Sequence, residues 1–309
     1  MESIEIIGSG IYLPSVAVEN KELEKKFNVP EGYIYQRTGI KKRYYIKNED
    51  ICDMAYVAAK ESLIDSKLKE SDIDLIIVAT TSTNTLMPGI SYKVQEKLNI
   101  EKCICLDILA GCAGYVNAFD IAKMYINTGK IKNAMVIGVD ALSSYLDDKD
   151  INTKIILSDG AGSTILRATS HKKIYFSNIL SDGKNGDILT CKTNEKIKMN
   201  GKAIYKYAVT ETIKNIEELL EEARINMDDI KYIIPHQSNI KIMNSMASKL
   251  HIENEKMFSN IDKVGNTFCA SIPIALDYMR KNKEIEQNDK IILIGYGGGL
   301  NTASILIEI

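Results

Sequence analysis

Short apolar runs rich in Ile and Val recur along the 309-residue chain, and longer segments with helical spacing lie between them. Such runs are typical of strands buried on both faces of a sheet. The pattern predicts strands over 74–79, 103–106, 134–139, 231–234 and 290–295, and helices over 115–127, 202–223 and 271–282. Strands that alternate with helices indicate an α/β fold.

The chain also repeats itself. The segment "DIDLIIVATTSTN" (72–84) resembles "DIKYIIPHQSN" (229–239), and "GCAGYVNAFDIA" resembles "FCASIPIALDYM". The separation from Cys112 to Cys269 equals that from Asp120 to Asp277. Ordered pairs at a constant separation indicate a duplicated unit. We therefore predict an N-terminal half, 1–170, and a C-terminal half, 171–309, with the boundary near 168–178.

Composition narrows the functional classes. Hydrophobic residues make up 45% and charged residues 26% of the chain, which is enough to build a large buried core. A net charge of -2 provides no general attraction to nucleic acid or to an anionic membrane. The first residues lack the pattern of a signal peptide, and the six cysteines are too sparse for a disulfide framework. We expect a cytoplasmic protein with reduced thiols.

Cys112 lies in "ILAGCAG", between small residues and directly before a predicted helix. The unpaired N–H groups and positive dipole end of a helix N-terminus stabilise a thiolate, and the thiolate is the nucleophilic form of cysteine. The alternative is a small buried side chain that only fills space.

His236 and Asn266 are the other two candidates for chemistry. Of three histidines, His171 and His251 lie in polar, Lys-rich surroundings, whereas His236 follows a predicted buried strand in "YIIPHQSN". Polar residues at strand ends form the active sites of open α/β sheets. Asn266 lies in "KVGNTFCASIP", where an ordinary turn residue is the alternative. A structural role for His236 also remains open.

A set of longer motifs accompanies Cys112, His236 and Asn266 and makes this combination of residues specific. They are "GSGIYLP" (8–14), "RTGIKKR" (37–43), "LAGCAG" around Cys112, "SDGAG" (158–162), "MNGKAIYKYAVTE" (199–211), "PHQSNIKI" (235–242), "GNTFCASIP" (265–273) and "GYGGG" (295–299). In this order, and across nearly the whole chain, they resemble the β-ketoacyl-[acyl carrier protein] synthase III family, condensing enzymes of the thiolase superfamily. The resemblance implies the duplicated five-layer α-β-α-β-α thiolase fold and a homodimer.

The resemblance also implies roles for the three residues. Cys112 is the nucleophile that takes an acyl group from a thioester, and His236 and Asn266 bind the carbonyl of a malonyl thioester while carbon dioxide leaves. Backbone N–H groups of Cys112 and Gly298 then hold the oxyanion. The implied product is a β-ketoacyl thioester, made in fatty-acid initiation or a related secondary pathway. No cofactor is implied beyond coenzyme A and carrier-bound phosphopantetheine, which are substrates.

Further contacts follow from the resemblance. Tyr33 and Arg37 match positions that bind coenzyme A, although the usual tryptophan is absent and Ile151 stands where a second arginine is usual. Met87 matches a residue that caps the partner subunit's acyl pocket, and Phe268 replaces a small residue. Lys206 and Lys241 match carrier-protein docking positions. Exposed or core-packing side chains without such roles are the alternatives for these residues.

Three other functions remain open. An acyltransferase could pass the acyl group from Cys112 to an amine, an alcohol or another small acceptor. A papain-like hydrolase also uses Cys, His and Asn, but the papain motif around its cysteine is missing. A binding protein on the same scaffold is the third. We expect no metal site, since no nearby Cys or His completes a ligand set with Cys103 and Cys105.

Overall fold

The structure is a computed structural model that describes residues 3–83, 85–193 and 195–309. Asn84, the last residue of the first repeated segment, lies outside the described residues. Strands β1 to β13 are, in chain order, Ser3–Tyr12, Val16–Glu19, Lys42–Tyr45, Leu75–Ala79, Ile104–Ile108, Asn133–Asp140, Gly160–Thr169, Tyr175–Ser181, Leu189–Thr190, Lys198–Met199, Tyr232–Pro235, Lys290–Gly297 and Asn301–Glu308.

Helices α1 to α10 are Asn20–Phe27, Tyr33–Thr38, Ile51–Ser66, Ile90–Lys97, Gly114–Asn127, Ile151–Lys154, Gly201–Ala223, Ile240–Lys249, Ile261–Val264 and Ser271–Lys281. The strands and helices predicted from periodicity are present, with ends that differ by one or two residues. None of the helices in the described part of the chain is long and apolar enough to cross a bilayer.

Two sheets repeat one topology. The first has the order β1-β7-β6-β4-β5, and the second, from its other edge, β8-β13-β12-β11. β4 runs parallel to β6, and its equivalent β11 runs parallel to β12. The first sheet has a further parallel pair, β4 to β5. The pairs β7 to β6, β7 to β1, β13 to β12 and β13 to β8 are antiparallel. The sequence repeats therefore fall on equivalent strands. The exact division at 170/171 stays a prediction.

The elements stack in five layers. Helices α5 and α10 lie between the sheets and share one apolar core with both of them. Helices α3 and α4 cover the outer face of the first sheet, and α7 and α8 cover that of the second. This is the α-β-α-β-α order that was expected. Burial of both faces explains why the central strands read as unbroken apolar runs.

The middle layer brings two short 3₁₀ turns together, and these turns build the site. Gly111–Ala113 precedes α5, and Phe268–Ala270 precedes α10. The thiol of Cys269 donates to the carbonyl of Gly111 at 2.9 Å, so the equivalent turns of the two halves contact each other directly. Residues from both halves can consequently face one cavity.

Candidate active site

Cys112, His236 and Asn266 line a single cavity of about 200 Å³. All three side chains are buried. Most of the remaining wall is apolar and leads to the surface past Tyr205 and Lys241; it includes Ile156, Leu157, Leu189, Met199, Ile204, Ile242 and Phe268. The fold therefore brings together three residues that are far apart in sequence, in a narrow tunnel suited to an extended, largely apolar ligand arm.

The Cys112 sulfur lies against the glycine-rich loop that follows β12. The backbone N–H groups of Gly298 and of Cys112 itself lie close enough to Sγ to lower the pKa of the thiol. Gly297 lies so close that a Cβ placed there would be 2.7 Å from both Cβ and Sγ of Cys112. Only a glycine permits this approach. Two backbone N–H groups beside a nucleophile are also near the place where the oxygen of an attacked carbonyl becomes an oxyanion, and such donors stabilise it.

Burial sets the protonation state of Cys112. Burial and the nearby carboxylate of Asp140 raise the pKa of the thiol, the backbone N–H groups of Gly298 and Cys112 lower it, and the resulting pKa is about 12. The helix-terminus contacts therefore act in the predicted direction, but their effect on the pKa is smaller than that of burial. Desolvation outweighs the contacts because the cavity excludes water from the charged form.

His236 is held as a neutral imidazole. Burial lowers its pKa to about 3. Its Nδ1 lies 2.7 Å from Ser271 Oγ, and the N–H of Gln237 donates to the same oxygen at 3.4 Å. When the Ser271 hydroxyl donates to Nδ1, the imidazole proton lies on Nε2 and this nitrogen is a donor. The ring of Tyr296 packs edge-on at 5.3 Å and fixes the ring plane.

Asn266 is oriented by its own backbone neighbourhood. Its Oδ1 accepts a hydrogen bond from the N–H of Phe268 at 3.0 Å. Because the amide oxygen is engaged, the Nδ2 group is the end available as a donor. His236 and Asn266 thus each present a neutral donor, and neither adds an acid that would protonate a carbanion.

Two residues that sequence reasoning missed support the site. Asp140 ends β6, and its carboxylate accepts from the backbone N–H groups of Thr81 and Cys269 at 2.8 and 3.0 Å. It ties the first sheet to the turn before α10. Ser271, which orients His236, begins α10. A polar residue at the end of a buried strand was a usable signal for Asp140, whereas nothing local marked Ser271.

A second cavity of about 640 Å³ meets Cys112 from the other side. Cys112, Leu189 and Phe268 line both cavities, so the nucleophile lies at their junction. Phe268 has a φ of 49°, in the left-handed region that a bulky side chain rarely adopts. Its ring packs at 6.4 Å from the His236 imidazole and forms part of the wall between the two spaces.

The predicted coenzyme A contacts lie near the tunnel mouth. Arg37 stacks over the Tyr33 ring at 4.3 Å, and Arg37 also lines an open cleft that shares Met199 and Asn239 with the tunnel. The Arg37 guanidinium covers the face of the Tyr33 ring. An adenine could stack between the two side chains only if Arg37 moved away. Ile151 begins α6 and supplies no second guanidinium.

The predicted lysines and Met87 occupy different surfaces. Lys241 lines the tunnel, and Lys206 is exposed on α7 beside Tyr205. Met87 is 86% exposed, outside both cavities of its own chain. Cys103 and Cys105 lie with their sulfurs 3.6 Å apart, but among the described residues no group of three or more His, Cys, Asp or Glu is arranged to hold a metal ion.

Comparisons with known proteins give one consistent result. Residues 106–183 match 3-oxoacyl-[acyl-carrier-protein] synthase III, and residues 220–309 match its C-terminal region. The β-ketoacyl-[acyl-carrier-protein] synthase III of Clostridium acetobutylicum is 37% identical over 322 aligned positions that cover 100% of this chain and 99% of that protein.

Solved structures agree with the five-layer fold. The crystal structure of the synthase III from Aquifex aeolicus superposes with a TM-score of 0.97 at 37% identity, over 99% of this chain and 100% of the other. The priming β-ketosynthase of the R1128 polyketide pathway superposes with a TM-score of 0.94 at 25% identity, over 99% and 96%. The chain has the thiolase fold, and it belongs to the β-ketoacyl-[acyl carrier protein] synthase III family of condensing acyltransferases.

Proposed function

We propose that the protein catalyses decarboxylative Claisen condensation of an acyl thioester with malonyl-acyl carrier protein through an acyl-Cys112 intermediate. The observation that carries the proposal is the shared cavity: one nucleophile at a pair of backbone N–H donors, and two neutral side-chain donors on the same wall. The N-terminal half, 1–170, supplies the nucleophile, and the C-terminal half, 171–309, supplies His236 and Asn266.

The first half-reaction is a thioester exchange. The Cys112 sulfur attacks the acyl carbonyl, the bond from that carbon to the donor sulfur breaks, and the thiol proton passes to the departing thiolate. The N–H groups of Cys112 and Gly298 stabilise the oxyanion. The acyl chain then occupies the 640 Å³ cavity, whose position beside Cys112 separates it from the tunnel used by the donor.

The second half-reaction needs the two side chains that donate hydrogen bonds to the enolate. The malonyl thioester carbonyl accepts hydrogen bonds from His236 Nε2 and Asn266 Nδ2, and the bond to the carboxylate breaks so that its electron pair forms the enolate and carbon dioxide leaves. The enolate carbon bonds to the acyl carbonyl, and collapse of that intermediate expels the Cys112 thiolate, which takes up a proton from water. Every step uses protein groups and thioesters, so we propose no further cofactor.

The substrate arm is proposed to enter past Tyr205 and Lys241. A phosphopantetheine arm matches a narrow apolar tunnel with a cationic mouth. Lys206 and Lys241 would attract an acidic carrier protein, and Arg37 with Tyr33 would meet the nucleotide of coenzyme A. The cytoplasm is the proposed compartment, in keeping with six cysteines that form no disulfide in the structure.

A homodimer is proposed from one exposed apolar surface. Edge strand β5 pairs with no other strand of the described residues on its outer side, and Leu109 just beyond it is 79% exposed. Leu86, Met87 and Tyr92 are exposed on the adjoining segment, which contacts β5 through the Ser91 N–H bond to Asp107. Large exposed apolar surfaces of this kind mark interfaces. Leu109→Asp should shift the sedimentation coefficient to that of a monomer; an unaltered coefficient would contradict this interface.

Intact mass measurement tests the proposed reaction. Incubation with a panel of acyl-coenzyme A and acyl-carrier thioesters should add one acyl group, and Cys112→Ala should abolish that gain. Malonyl carrier protein should then discharge the acyl group with release of carbon dioxide, and Asn266→Ala should acylate without discharging. Discharge to an amine or alcohol without carbon dioxide release would instead support simple acyl transfer, and inertness toward every thioester would refute both.

A further inference from the structure

Residues 37–46, here called the brace segment, run from the end of α2 through β3. They contact the backbone near His236 and Asn266, the two residues proposed to donate hydrogen bonds to the enolate. The Asn239 side chain donates to the carbonyl of Arg37 at 3.1 Å. Gly39 lies so close to Ile240 that a Cβ placed there would be 2.6 Å from the isoleucine side chain. The first part of the brace segment thus packs on the turn that follows His236.

The second part of the brace segment reaches Asn266 through Ser158. The Tyr44 N–H donates to Ser158 Oγ at 2.8 Å, and the Asp159 N–H donates to the Tyr44 carbonyl at 2.8 Å. The Ser158 N–H donates to the Asn266 carbonyl at 2.8 Å, while the Asn266 N–H donates to the carbonyl of Ile156 at 3.1 Å. The backbone of Asn266 is therefore held on both sides by residues 156–158, which the brace segment holds in turn.

Arg43 anchors this arrangement from within the core. It is fully buried, and its Nη2 donates to the Asn20 side chain at 2.7 Å and to the Ile155 carbonyl at 3.1 Å. Gly265, directly before Asn266, has a φ of 73°, and a Cβ there would lie 3.0 Å from Ser158 Cβ and 3.2 Å from Arg43 Cβ. Close packing and hydrogen bonds thus act on the same loop.

We propose that the brace segment positions His236 and Asn266 as one unit and that Ser158 is the positioning residue through which it sets Asn266. This inference rests on the proposed condensation, but it concerns the enolate half-reaction alone. Cys112 takes its position from the glycine-rich loop and the turn before α5. A substitution at Ser158 should therefore displace His236 and Asn266 more than it displaces Cys112. Displacements of the order of 1 Å at reacting groups can cost about a hundredfold in rate.

The test compares the two half-reactions in Ser158→Ala. This variant removes the hydroxyl that the Tyr44 N–H uses and leaves the Cys112 loop unaltered. We expect Cys112 acylation within about threefold of the unaltered protein, discharge by malonyl carrier protein slower by about tenfold or more, and a fall in kcat larger than any rise in KM. Ser158→Cys, which replaces the hydroxyl with a somewhat larger and more weakly hydrogen-bonding thiol, should fall between the two.

Ser62→Ala is the matched control, because it removes another buried hydroxyl, bonded to Ser163 at 2.8 Å on the outer side of the first sheet. Both of its half-reaction rates should stay close to those of the unaltered protein. The inference would be overturned if Ser158→Ala slowed acylation and discharge equally or slowed neither. It would also be overturned if Ser62→Ala slowed discharge alone. If Ser158→Ala does not fold, Ser158→Cys decides by the same criterion. Failure of the unaltered protein to acylate or discharge would refute the proposed function instead.

Discussion

The contact between Gly297 and Cys112 leads to a quantitative prediction for Gly297→Ala. The added methyl would lie 2.7 Å from Cβ and Sγ of Cys112 and 3.1 Å from its backbone N. Ordinary carbon contacts are about 3.5–4.0 Å, so the loop and the cysteine must separate by about 1 Å. That shift moves Sγ away from the N–H of Gly298. We expect Cys112 acylation to slow by about a hundredfold, and overpacking to lower the free energy of unfolding by about 1–3 kcal/mol.

Single-turnover acylation followed by intact mass, together with urea unfolding, measures both effects. Gly162→Ala is the control for overpacking, since a Cβ there would lie 2.8 Å from Pro273 Cβ, away from the cysteine. It should lose similar stability and keep its acylation rate within about threefold. Acylation by Gly297→Ala at the unaltered rate, or an equal loss in Gly162→Ala, would refute the argument that close approach of this loop builds the nucleophile's site.

Three other predictions follow from the site. Asn266→Asp keeps an oxygen for the Phe268 N–H but replaces the Nδ2 donor with an acceptor, so discharge by malonyl carrier protein should fall by about 10²–10³ while acylation persists; equal losses would contradict the assigned orientation. Burial lowers the pKa of His236 from 6.5 to about 3. Between these pH values the unfolded chain binds more protons than the folded protein, so the free energy of unfolding falls as the pH drops. The fall is at most about 1.4 kcal/mol per pH unit. Urea unfolding at pH 7 and pH 5 should show a smaller fall in the free energy of unfolding for His236→Gln than for the unaltered protein. An equal fall in both proteins would refute the buried neutral imidazole. Phe268→Ala should join the two cavities beside Cys112 and shift acylation toward bulkier acyl chains in a competition of acyl-coenzyme A thioesters measured by mass; an unchanged order of preference would show that Phe268 does not limit the pocket.

The linear sequence determined the elements and the identity of the chemical groups. Alternation of Ile- and Val-rich runs with helical segments predicted the strands and helices, because burial on both faces of a sheet requires apolar residues at successive positions. The duplication was visible because equivalent turns keep equivalent small residues, as around Cys112 and Cys269. Those local patterns, together with the family motifs, singled out Cys112, His236 and Asn266.

Only the tertiary structure decided the state and the support of those groups. The pKa of the Cys112 thiol is raised because desolvation depends on everything that packs around the sulfur, not on the helix that follows it. Ser271 reaches His236 across 35 positions, and Ser158 reaches Tyr44 across 114. Partners so distant in sequence leave no periodic signal. Charge, tautomer and donor direction are properties of packed neighbours, and these exist only after the two halves have folded against each other.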